Sequence, residues 1–161
     1  MKKPIVETEY QEITAEEWKQ LIAAGMNVPT KIYTFGNSMF PLLRAEGDSV
    51  TIIPLQRKLR KGDVIVFYRT DGKYVAHRVY WFDEQQVMTI GDNCEQYDRK
   101  IALSDVLGLV TYVHRGKRNI FVDTPLWRFY GRAKQWMMPG RKFFKKRIWP
   151  PFYRFVKKIK K

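Results

Sequence analysis

The chain has 161 residues, 45% of them apolar, enough for one domain with a substantial core and too few for two. Its formal charge of +14 is concentrated at one end: residues 126–161 carry 13 Lys/Arg and no Asp/Glu, leaving residues 1–125 with 17 basic against 16 acidic side chains. A uniformly basic nucleic-acid domain is thereby excluded, and the single cysteine, Cys94, excludes both a disulfide framework and a cysteine-rich metal site.

Residues 1–30 read as a helical extension. Thr14 and Glu17 have capping-box spacing, Trp18, Leu21 and Ile22 form one apolar face, and Gly25 can end the helix. Five glutamates between Glu7 and Glu17 interrupt any apolar run, so no signal peptide is expected there. No stretch reaches the roughly eighteen apolar residues of a spanning helix. From residue 31 the period changes to that of strands, predicted over Ile32–Phe35, Ser49–Ile53, Asp63–Tyr68, Tyr74–Trp81, Gln86–Ile90, Val106–His114 and Asn119–Val122. Asp71-Gly72 is a hairpin signal, and Gly47, Gly62 and Gly116 punctuate other turns. Residues 31–125 are therefore expected to form an antiparallel, barrel-like β-domain. Beyond Pro125, two helical spacings appear in the tail of residues 126–161: Leu126, Phe129, Tyr130, Ala133 and Met137, then Phe152, Phe155, Val156 and Ile159. They predict two short basic amphipathic helices broken by prolines.

Three residue types suited to acyl transfer occur in order: Ser38, His77 and Asp98. A serine hydroxyl attacks an amide only when a neighbouring base takes its proton; imidazole suits that task near neutrality, and a carboxylate can orient it. Asp92 is an alternative carboxylate. His114, without such a setting, reads as a strand-end surface residue. Cys94 reads as a small buried side chain, because no cysteine-protease pattern surrounds it.

The local sequences around these residues resemble the signal peptidase I family and its wider clan, which includes the self-cleaving SOS and phage repressors. Gly36-Asn37-Ser38-Met39-Phe40-Pro41 looks like the nucleophile box, and Lys61-Gly62-Asp63-Val64-Ile65-Val66-Phe67 is similar to the Gly-Asp-hydrophobic strand that follows it. Ala76-His77-Arg78-Val79 matches the general-base box in the histidine form of the archaeal and endoplasmic-reticulum branch, and Gly91-Asp92-Asn93 matches the last box. The resemblance spans roughly residues 30–115. It implies a mainly β, signal peptidase/SOS-repressor-like domain that acts as a serine endopeptidase on a precursor or leader peptide, without cofactor or metal. Ser38 would be the nucleophile, His77 the base, and Asp98 or Asp92 the orienting carboxylate. Asn37 and Ser38 would border the oxyanion site, and Met39, Phe40 and Pro41 the substrate cleft. With a histidine base, activity is expected to rise through about pH 6 to 7.

This chain departs from the family pattern in carrying Gly36 where a serine is common and Cys94 in place of the second asparagine of the last box, and no amino-terminal anchor is expected. The basic tail has no counterpart in the pattern. Its charge and its tryptophans point to an anionic membrane surface, with Trp127, Trp136 and Trp149 at headgroup depth and Lys145, Lys146 and Arg147 against the phosphates. RNA is the second candidate partner for such a tail. The expected location is cytoplasmic or peripheral at the membrane. The competing reading is a non-catalytic peptide-, membrane- or RNA-binding module on the same fold.

Overall fold

The structure, a computed structural model, describes residues 17, 19–21, 24, 30–33, 36–44, 47–69 and 73–137. The expected cap at Thr14, the hairpin tip at Asp71-Gly72, the second tail helix, and Trp149, Lys145, Lys146 and Arg147 lie outside them.

Among the described residues the chain is mainly β. Eight strands form one antiparallel sheet: β1 (Thr30–Tyr33), β2 (Asp48–Ile53), β3 (Val64–Tyr68), β4 (Tyr74–Phe82), β5 (Gln86–Ile90), β6 (Ile101–Ala102), β7 (Val106–Arg115) and β8 (Arg118–Phe121). The order is β1-β2-β7-β3-β4-β5-β6, with β8 also paired to β7. Six of the seven expected strands lie within one residue of their predicted ends. The first begins earlier, at Thr30, and its expected last residues 34 and 35 lie outside the description. The two-residue β6 was not predicted, being too short to carry a period.

The continuous apolar run of β3 has a structural cause. Val64 and Val66 enter one core, with Met39, Leu42, Val50, Ile52, Val110 and Val113, while Ile65 and Phe67 enter a second, with Leu59, Val79, Val87 and Leu109. A strand buried on both faces has no polar alternation to show.

Helix α1 (Pro125–Trp136) starts on Thr124, whose Oγ1 accepts the Trp127 N–H at 3.2 Å, with Pro125 in the first turn where its missing N–H costs nothing. The helix is seated on the sheet rather than separate from it. A Cβ at Gly131 would collide with Cδ and Nε of Arg78, so only glycine allows this approach to β4. Trp127, expected at a membrane interface, instead packs against the first core, and its carbonyl accepts from Arg78 Nη1 at 3.3 Å. The outward side presents Leu126, Phe129 and Trp136, exposed by 72%, 69% and 85%. No helix among the described residues is long and apolar enough to cross a membrane.

Candidate active site

His77 lies in the middle of β4, opposite Ile65 of β3, with its ring edge-on to Phe67 at 6.2 Å between centroids. It faces the second core and is only 5% exposed. β5 then ends at Ile90, and the chain turns through Gly91–Cys94, where the Cys94 N–H donates to Gly91 O at 2.9 Å. The chain returns to β5 at Asp98, whose N–H donates to Thr89 O at 2.9 Å. That return carries the Asp98 carboxylate to His77: Nδ1 bonds Oδ2 at 2.6 Å, and Thr89 Oγ1 donates to the same oxygen at 2.6 Å. In the neutral imidazole a carboxylate at Nδ1 keeps the proton there and leaves Nε2 as the acceptor.

The other sequence candidate, Asp92, is engaged elsewhere. Both its oxygens accept from Arg78, Nε to Oδ1 and Nη2 to Oδ2, each at 2.7 Å and fully buried. Arg78 follows His77 on β4 and therefore points to the opposite face of the sheet. The register thus assigns each aspartate its own partner: Asp98 to the imidazole, Asp92 to the guanidinium.

Ser38 sits in the turn that follows β1, and the turn after β5 holds it in place. The Asn93 N–H donates to Ser38 O at 2.7 Å, and Asn93 Nδ2 donates to Asn37 O at 3.2 Å. Ser38 O, Cys94 Sγ and His77 Nε2 lie 2.6, 2.7 and 3.0 Å from the position a Cβ on Gly91 would take, so any side chain at residue 91 would fill the space where serine, histidine and cysteine converge. His77 Nε2 is buried and has no hydrogen-bond partner among the described residues. Ser38 is half-buried, and no hydrogen bond joins its hydroxyl to Nε2.

Two expectations change here. Met39, expected to line the substrate cleft, is 2% exposed and belongs to the first core, its Sδ accepting the Asp92 N–H at 3.4 Å. Phe40 and Pro41 are exposed beside Ser38. The pH expectation also moves. Burial disfavours the imidazolium, but the hydrogen bond and charge of Asp98, with Cys94 adding in the same direction, outweigh it and raise His77 to about 9. Burial pushes the Asp98 carboxyl upward, yet the bond and charge of His77, the Thr89 hydroxyl and the charge of Arg69 together hold it below the usual carboxylate range.

His114 lies near the end of β7. It is half-buried, with Nε2 2.7 Å from Thr51 Oγ1 and Nδ1 2.8 Å from Asn119 Oδ1. Among the described residues no group of His, Cys, Asp and Glu could hold a metal ion. Sequence reasoning did not single out Thr89 or Arg78. Arg78 carried a signal, a charged residue inside an otherwise apolar strand; Thr89 carried none. No family model matches the chain and no curated protein matches it, so the likeness to the signal peptidase I family rests on the residues of the four boxes.

Proposed function

We propose that this chain is a serine endopeptidase, signal peptidase I-like in its domain, that cleaves a precursor or leader peptide with Ser38 as nucleophile and His77 as general base. The observation that carries the reading is the buried, partnerless Nε2 of an imidazole whose other nitrogen is fixed by Asp98, next to the serine of the nucleophile box. In this reading Nε2 takes the Ser38 proton as Oγ attacks the scissile carbonyl, and then returns it to the leaving amine. Asp98 stabilises the imidazolium formed between those steps, and Thr89 keeps that carboxylate oriented. Backbone N–H groups near Ser38 and the Asn37 amide supply the oxyanion contacts that the serine absent at Gly36 would otherwise provide; one such donor is worth about 3 kcal/mol.

An anionic membrane surface is the proposed platform. α1 turns Leu126, Phe129 and Trp136 outward at the start of a segment with 13 basic and no acidic residues. Apolar insertion combined with attraction of about 1 kcal/mol per cation suffices to hold a domain at such a surface.

Labelling with a fluorophosphonate tests the chemistry. Wild type is expected to take up one equivalent at Ser38 and to lose it in Ser38→Ala. A folded wild-type chain that takes up none makes the domain a binding module. Sedimentation with vesicles tests the platform: binding should be strong to anionic and weak to neutral vesicles. Tight RNA binding at physiological salt, with no dependence on lipid charge, would replace the membrane by RNA.

A further inference from the structure

Cys94 is the nucleophilic side chain at the site that the proposed mechanism leaves unused. It is half-buried, on the turn that also fixes Ser38. Two independent observations point into the space beside it. Sγ and His77 Nε2 lie 2.7 and 3.0 Å from the same point, the empty Cβ position of Gly91, and Nε2 is a buried acceptor with no partner among the described residues on a side chain 5% exposed. A buried imidazole nitrogen of that kind can take the proton of a neighbouring thiol as its sulfur attacks. Sγ shares that point with Nε2 and the Ser38 carbonyl, so atoms added to Sγ would crowd the side of Nε2 that the proposed mechanism uses.

We infer that Cys94 is a covalent modification site, oxidised by peroxide and alkylated by small electrophiles with the help of His77, and that its adduct closes the Ser38–His77 site. With hydrogen peroxide, Sγ attacks one oxygen, and the S–O bond forms as the O–O bond breaks. Sulfur gives up two electrons, and the departing oxygen leaves as water with the thiol proton relayed through Nε2. The product, a sulfenic acid, is returned to the thiol by a dithiol reductant. Closure rests on the peptidase reading; the reactivity of the sulfur does not.

Because Cys94 is the only cysteine in the chain, intact mass reports its adducts without ambiguity. The full chain, His77→Gln, Asp98→Asn and Cys94→Ala are treated with iodoacetamide or hydrogen peroxide at about pH 9, where a substantial share of His77 is the neutral base, then with a fluorophosphonate. Wild type should alkylate on the order of tenfold faster than His77→Gln or Asp98→Asn, as expected when a positioned base is removed. Phosphonate uptake at Ser38 should fall by a similar factor after either reagent and recover with dithiothreitol after peroxide only, while Cys94→Ala keeps its uptake throughout. Equal alkylation rates in wild type and both folded variants overturn the assistance by His77, and unchanged uptake by the alkylated chain overturns the closure. Should both variants misfold, wild type decides alone: an assisted sulfur reacts at least as fast folded as in denaturant, and a slower folded chain overturns the assignment. A chain whose alkylation depends on His77 but which never takes up phosphonate refutes the peptidase reading, and closure with it, while establishing the modification site.

Discussion

His77 and Arg78 are neighbours on β4, yet the fold treats them in opposite ways. Each is buried, each points to its own face of the sheet, and each has an aspartate delivered by the chain that follows β5. Arg78 is engaged through all three nitrogens: Asp92 takes Nε and Nη2, while the carbonyls of Gly62 at 2.8 Å and Trp127 take Nη1. His77 is paired on one side and bare on the other. His114, bonded through both ring nitrogens, shows that this chain satisfies a histidine completely elsewhere. A buried polar atom without a partner costs about 1–3 kcal/mol, so a fold that leaves one beside a serine and a cysteine forgoes that stability at a place where chemistry can use it.

The contrast breaks most directly by removing each neighbour in turn. His77→Ala should reduce cleavage by on the order of 10⁴-fold or more, since nucleophile and base act as a unit, while above about pH 9, where the stabilisation from its imidazolium is lost, its urea midpoint stays close to wild type. Arg78→Ala should do the reverse to the fold, costing about 3–5 kcal/mol by leaving Asp92 buried and unpaired, as urea unfolding will read. If His77→Ala unfolds the chain and Arg78→Ala does not, the assignment of roles is inverted.

The pH dependence sharpens the same contrast. The folded value of His77, about 9, lies above its unfolded value near 6.5, so the fold favours the imidazolium. That stabilisation is fully present below about pH 6.5 and is lost as pH rises through about 9. The base must be neutral to act, so cleavage should rise over the interval in which stability falls. Paired profiles of kcat/KM and urea midpoint from pH 6 to 10 test both slopes; cleavage already saturated at pH 7 contradicts them. Asp98→Asn should lower the midpoint of the activity profile, whereas Asp92→Asn should leave that midpoint in place and lower stability. The smallest expected effect is that of Thr89→Val, about 1 kcal/mol for one hydrogen bond to Asp98, seen as a modest fall in kcat.

The strands were legible because turn glycines and β-branched runs mark them locally, whereas the two-sided burial of β3 emerged only from its packing. The choice between Asp98 and Asp92 was not, because both follow the same Gly91 turn. Which of them meets His77 follows from the pairing of Arg78 with Ile90 and from the return of Asp98 to Thr89, which are tertiary facts. Met39 and Trp127 were misread for a related reason: apolar side chains beside a reactive serine or in a basic tail look available until the packing that covers them is known. The alternation of β4 placed His77 and Arg78 on opposite faces in advance, but nothing in the sequence says that one of the two is left half-satisfied.

Arg115, at the end of β7, reaches back across the sheet. Its guanidinium holds the buried Asp48 carboxylate and donates to the carbonyls of Pro41 and Leu42 at 3.1 and 2.9 Å, 74 and 73 residues earlier in the chain. The segment just after Ser38 is thus tied down by a strand that leaves the ribosome well after it. Contacts of such long sequence separation form late and slowly. During synthesis His77, Asp98 and the Asn93 turn that holds Ser38 all precede Arg115, so the growing chain passes through a stage in which these residues are present while the segment just after the serine still lacks its clamp.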